Sequence, residues 1–230
     1  MKISGYLGFS LIDYPGKTSL VVFTQGCNFR CPFCHNPELV STRKKGTYSE
    51  EFIIEEIERR RKLIQGVVIT GGEPTIQEDL PSFLFKLKRK RLSIKLDTNG
   101  SNPKMLIELI KGKLIDYVAL DFKTSLKKYF IATGLSEKDA QKHVKNLLES
   151  LKILKESSTP FEVRTTVVPK IVEENDLINI REIIGDLPYF LQDFRPEKTL
   201  SYKLREEKPY PKEILAKWNE EIKSSIRGYF

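Results

Sequence analysis

Cysteine is nearly absent from this 230-residue chain: all three stand in one eight-residue run, Cys27-Asn28-Phe29-Arg30-Cys31-Pro32-Phe33-Cys34. An odd, clustered set of this kind excludes a disulfide framework. With no secretory leader read at the start, it points to a reducing, cytoplasmic setting. No apolar run approaches the roughly 20 residues that span a bilayer, so a soluble protein without a membrane partner is expected. Internal repeats and low-complexity segments are also missing, and the charged stretch from Arg195 to Pro211 is the one candidate linker. Charge is not scarce. The net value of +8 favours acidic partners, but no nucleic-acid-binding motif accompanies it, so nucleic acid is not expected.

The three cysteines read as a metal site one ligand short. An iron–sulfur cube takes four thiolates, one per iron, and this chain can supply only three, which leaves one iron open to another ligand. A zinc site of Cys27, Cys31, Cys34 and His35 has suitable ligand types. Structural zinc, however, usually joins two separated ligand pairs, and the adjacent Cys34 and His35 converge on one tetrahedral ion with difficulty. A non-catalytic iron–sulfur or zinc module stays open as a reading from another functional class.

Short β-rich runs alternate with amphipathic helical ones, the pattern of a parallel α/β fold. Six strands are expected: Thr18 to Thr24, Gly66 to Thr70, Leu92 to Asp97, Asp116 to Phe122, Phe161 to Val168 and Tyr189 to Phe194. Five helical segments lie between them. In the first, Ser49 is a candidate N-cap, with acidic residues early and Arg59 to Lys62 late, as the helix dipole prefers. Ile214, Leu215, Trp218, Ile222 and Ile226 predict a final helix.

Polar motifs follow the strands. Thr70-Gly71-Gly72-Glu73-Pro74 follows the second, Asp97-Thr98-Asn99-Gly100 the third and Asp121-Phe122-Lys123 the fourth, while Arg164 sits within the β-branched fifth. Two adjacent glycines allow close backbone approach, and a carboxylate beside them can receive an ammonium group. A charged residue in a buried strand needs a partner. Taken singly, each motif could also be an ordinary turn or surface pair.

The C-x3-C-x2-C spacing, with aromatic Phe33 before the last cysteine, resembles the radical S-adenosylmethionine (SAM) enzymes. That resemblance implies an open, partial (β/α)6 barrel closed at one edge by the C-terminal helix. Residues 1–197 would be the core, and 198–230 an extension of the same domain. It also implies a [4Fe-4S] cluster on Cys27, Cys31 and Cys34, with the SAM amino and carboxylate groups on the fourth iron. Gly71, Gly72 and Glu73 would hold the SAM amino group and Phe33 would lie near adenine. Asn99, Lys123, Arg164 and Gln192 would complete the cofactor site. By similarity to pyruvate formate-lyase activating enzyme, Asp97, Thr98, Asp121 and the carbonyl of Ala119 would hold a monovalent cation.

Ser10 to Lys17, Gly26 to Asn28, Cys34 to Pro37, Leu96 to Pro103, Val163 to Val168 and Phe190 to Pro196 narrow the likeness. These segments resemble the activating proteins of anaerobic ribonucleoside-triphosphate reductase. The implied activity is reductive cleavage of SAM and removal of hydrogen from a glycine α-carbon on that partner enzyme. A flavodoxin or ferredoxin would donate the electron. Asp13 and the Pro15-Gly16 turn would line the mouth where the glycine loop enters. Gln192 stands where the formate-lyase activator carries a histidine. A small-molecule radical SAM enzyme, such as a 7-carboxy-7-deazaguanine synthase, shares the same short motifs. His35 is expected to pack the loop, and His143 to lie on a helix surface.

Overall fold

The computed structural model describes residues 1–227. Its strands are β1 (Ile3–Tyr14), β2 (Lys17–Thr24), β3 (Gly66–Gly71), β4 (Ser93–Thr98), β5 (Tyr117–Asp121), β6 (Phe161–Val167), β7 (Tyr189–Asp193) and β8 (Ser225–Arg227). They form one sheet whose spatial order is the order of the chain. β1 runs antiparallel to β2, and every other pairing is parallel. The sheet is open, with helices along its parallel run.

The six expected strands are β2 to β7, and two more flank them. β1 escapes a sequence reading because glycine and serine interrupt its apolar residues and its outer face exposes Leu7, Phe9, Leu11 and Ile12. β8 corrects the C-terminal helix. Trp218, Ile222 and Ile226 repeat every four residues and so read as one helical face. The helix ends at Glu221, however, and Lys223 at φ 48° turns the chain into a strand that carries Ile226.

Among the described residues, seven α-helices connect the sheet: α1 (Glu50–Arg59), α2 (Leu80–Lys88), α3 (Pro103–Lys111), α4 (Tyr129–Thr133), α5 (Glu137–Glu156), α6 (Glu174–Ile184) and α7 (Lys212–Glu221). Several begin on side-chain caps that satisfy otherwise unpaired amides. Ser49 Oγ accepts from Phe52 N at 3.1 Å, Asn102 Oδ1 from Met105 N at 3.3 Å, and Ser136 Oγ from Asp139 N at 3.2 Å. Among the described residues no helix is long and apolar enough to cross a membrane.

The period of two along each strand divides the sheet into two environments. Leu20, Val22, Val67, Ile69, Ile94, Leu96, Val118, Leu120 and Val163 face the helices and are fully buried. On the face away from the helices, Val21, Val68, Lys95 and Tyr117 fall in one register row. Apolar side chains, Tyr14 among them, fill its β2–β3 half, and charge begins at β4. Leu204, Leu215, Trp218 and Ile222 of the C-terminal extension join the helix-side core.

Candidate active site

The cysteine loop leaves β2 at its C-terminal end, where catalytic groups gather in barrels of parallel strands. It is fixed at many backbone points. Gly26 N donates to Leu39 O at 2.7 Å, Cys27 N to Val40 O at 3.1 Å, Arg30 N to Thr133 O at 2.8 Å and Cys34 N to Cys31 O at 3.0 Å. The Arg30 guanidinium also folds back, its Nη1 donating to the carbonyls of Cys27 and Phe29 at 2.7 Å each. Gly134, at φ 64°, closes α4 against the Arg30 carbonyl, where a Cβ would lie 2.2 Å away. Only glycine fits there.

Gly71 at the end of β3 and Gly72 just after it are required by contact with the root of this loop. A Cβ on Gly71 would stand 2.5 Å from Thr24 N, and Gly71 itself is at φ 109°. Gly72 N donates to Thr24 O at 2.9 Å and Glu73 N to Gly26 O at 2.8 Å. The close approach that two glycines permit is therefore made to the root of the cysteine loop.

Glu73 is buried, and its carboxylate is well supplied with donors. Oε1 accepts from Thr75 N at 3.1 Å, Thr75 Oγ1 at 2.5 Å and Thr98 Oγ1 at 2.7 Å, while Oε2 accepts from Asn99 N at 2.7 Å. Burial still pushes its pKa up against those bonds. Oε1 is saturated, whereas Oε2 keeps an acceptor position. Asn99 and Thr98 thus act through Glu73 and the loop. Asn99 Nδ2 donates to Asn28 Oδ1 at 3.0 Å, and Asn28 Nδ2 to Ser101 Oγ at 2.7 Å.

One cleft at the strand ends is lined by Cys27, Cys31, Cys34, Phe33, Gly71, Gly72, Glu73, Asp97, Thr98, Asn99, Asp121, Lys123 and Gln192. The sequence had named every one of these. Phe29, Asn36, Val40, Thr70 and Thr166 also line it and had no role assigned; Thr166 lies one alternation beyond Arg164 on β6, so period-two counting could have found it. Burial holds the thiols of Cys27 and Cys31 up at about 12 and raises that of Cys34, so none is a ready nucleophile. Soft thiol donors ringing a shared space suit an iron–sulfur cluster. Among the described residues, no three His, Cys, Asp or Glu groups converge on a point that would hold a single metal ion.

The expected cation site does not fit. Asp97 Oδ1 receives Lys95 Nζ at 2.5 Å and Asp97 Oδ2 receives Arg164 Nη1 at 3.3 Å. Asp121 Oδ1 receives Arg164 Nε at 3.0 Å and Nη2 at 2.8 Å, and Asp121 Oδ2 receives Lys123 Nζ at 2.9 Å. The Thr98 hydroxyl is spent on Glu73. Arg164 finds its partners in these two aspartates, and it does not line the cleft.

Asp13 is corrected outright. The register pairs Tyr14 with Lys17 and Ile3 with Thr24, so the Asp13 hairpin lies at the end of β2 remote from the cysteines. Eight extended residues separate the two ends, a span of about 25 Å. There Asp13 accepts from Ser10 Oγ at 2.5 Å. His143 is corrected too. It is half-buried, packs edge-on to Phe29 with centroids 5.0 Å apart, and its Nδ1 is buried without a partner.

His35 is a loop-packing residue, stacked on Phe194 at 6.2 Å and accepting from Arg195 N at 3.2 Å through Nε2. Ser201 N donates to Pro32 O at 2.8 Å and Lys198 pairs with Glu38 at 2.7 Å. Phe194 and Arg195, together with Lys198 and Ser201 of the motif-free C-terminal segment, therefore clamp the far side of the cysteine loop.

Residues 21–182 match the family described as the radical SAM superfamily. The chain is 38% identical over 213 residues to a Methanocaldococcus jannaschii protein named as a glycyl-radical enzyme activating enzyme, covering 92% of this chain and 87% of that one. It is 30% identical over 203 residues to the pyruvate formate-lyase-activating enzyme of Streptococcus mutans, covering 81% and 74%. In fold it resembles Streptococcus suis SuiB crystallised with S-adenosylmethionine, at TM-score 0.65 and 17% identity over 90% of this chain. The chain spans about half of SuiB, at 48%, and that likeness concerns the fold alone.

Proposed function

The chain belongs to the radical SAM superfamily, and from that premise we propose that it activates a glycyl-radical enzyme, an anaerobic ribonucleoside-triphosphate reductase. The observation that carries this reading is the gathering of all three cysteines with Glu73 and Lys123 around one cleft at the strand ends. Cys27, Cys31 and Cys34 would hold a [4Fe-4S] cluster. When bound, that cluster and SAM supply the one-electron chemistry that generates the radical.

The protein's own part is binding and shielding. Oε2 of Glu73 keeps an acceptor position for an ammonium, and Lys123 has donors beyond the one spent on Asp121 for a carboxylate. Buried Phe33 offers an apolar wall for adenine, and Gln192 and Thr166 a polar rim opposite. The glycine loop of the partner would enter at this strand-end mouth. The basic balance of the chain favours an acidic flavodoxin or ferredoxin as donor in a cytoplasmic setting.

The test is to mix the reduced, cluster-loaded protein with SAM and the anaerobic reductase of the same organism, and to record electron paramagnetic resonance spectra. A glycyl doublet, with deuterium moving from the glycine α-carbon into 5′-deoxyadenosine, is expected. Absence of a doublet with every glycyl-radical enzyme of that organism, alongside turnover of a purine-like small molecule, would overturn the assignment. Replacing any one cysteine with alanine should abolish cluster iron.

A further inference from the structure

The face of β4 to β6 away from the helices carries buried charge where barrels of parallel strands are usually filled with branched apolar side chains. Lys95 is 1% exposed and shares its register row with Val68 and Tyr117. A lysine there needs a reason, because an uncompensated buried ammonium is costly. The reason is visible in its partners. All four carboxylate oxygens of Asp97 and Asp121 face a nitrogen of Lys95, Arg164 or Lys123, at 2.5 to 3.3 Å. Glu162, lower on β6, accepts from the Tyr117 hydroxyl at 2.8 Å and adds a third negative charge to the three positive ones.

A metal cation entering this group would have to displace one of the fixed nitrogens and would upset a balanced set of charges. We propose that the Lys95 ammonium is a built-in substitute for a monovalent cation, so that SAM binding in this protein is indifferent to potassium and sodium. This rests on the reading of the adjoining cleft as a SAM site. Asp121 and Lys123 line that cleft, whereas Lys95 lies behind Asp97 and acts through it, as a positioning residue. Removing its charge while keeping its stem, as in Lys95→Met, leaves Asp97 facing a space close to that of a dehydrated potassium ion.

The experiment measures SAM affinity of the cluster-loaded protein by calorimetry in potassium, sodium and tetramethylammonium chloride at equal ionic strength. The wild-type dissociation constant is expected to agree within twofold across the three salts. Lys95→Met should bind at least tenfold more weakly in tetramethylammonium and recover to within threefold in potassium or sodium, with unchanged melting temperature between salts for the wild type. A tenfold loss by the wild type on withdrawal of alkali cations overturns the inference, and this measurement stands even if the variant does not fold. Equal affinity of a folded Lys95→Met in all three salts overturns it as well. Failure of the wild type to bind SAM in any salt would instead strike the SAM reading itself, and this inference with it.

Discussion

A Cβ atom built on Gly72 would lie 2.0 Å from the carbonyl oxygen of Gly26, one residue before the first cysteine. The turn after β3 and the root of the cysteine loop are thus in backbone contact, with no side chain able to give way. Gly72→Ala must displace one of them. Overpacking of this kind costs about 1 to 3 kcal/mol. The expected outcome is a lower melting temperature and reduced iron per chain after reconstitution. Gly5→Ala is the control, since the nearest atoms to its Cβ stand at 3.7 Å, and it should be nearly neutral.

Glu73 is expected to matter before any cofactor is added. Glu73→Gln replaces one acceptor oxygen with a donor NH2, which must face either Asn99 N or the three donors around Oε1. Each buried donor left unpaired costs about 1 to 3 kcal/mol. Thermal melting of the cluster-free variant should therefore fall measurably. An unchanged melting temperature, with weaker SAM binding alone, would mean that the carboxylate serves only the ligand.

Acid stability should depend on Asp121. Burial raises its carboxyl, but Arg164 and Lys123 overcome that and hold it at about 2, below the ordinary value of 3.8. A depressed carboxylate stabilises the fold fully above its unfolded pKa, and that contribution is lost as pH falls from about 4 through 2. The size is about 2 kcal/mol, from the per-unit conversion. Denaturant titrations at pH 6, 4 and 2.5 should show the loss in the wild type and a flatter profile in Asp121→Asn.

Phe194 should protect the cysteine loop. Its ring is 2% exposed and stacks on His35 beside Cys34. Removing a buried phenylalanine side chain typically costs about 3 to 5 kcal/mol. Hydrogen exchange by mass spectrometry on Phe194→Ala is expected to quicken at residues 31–36 more than along α2 or α3. Uniform acceleration across the chain would show a general core role with no special tie to the loop.

Much of this was readable in advance because its signals are local. The strand–loop order of β2 to β7 and the Ser49 cap follow from periodicity and a short motif, and the cleft residues from motifs that resemble a known family's. What escaped depended on partners distant in sequence. Lys95 read as an unremarkable strand residue until Asp97 and Arg164 surrounded it. Arg164 was expected to need a partner, and the two it finds, Asp97 and Asp121, belong to the protein itself. Asp13 sat in a motif close in sequence to the cysteines, and only the antiparallel register of β1 puts it at the other end of the sheet. Ser201 has no motif because its contact with Pro32 uses backbone alone.

The strictly sequential strand order bears on how the molecule is made. Each new strand of this sheet docks beside the one synthesised just before it, so the core can grow during translation by short-range additions that close loops cheaply. The cysteine loop and the turn that braces it are both complete by residue 73, early in synthesis. Their outer clamp at Phe194, Arg195 and Ser201 emerges only near the end. Until those residues emerge, the three thiols lack this outer cover.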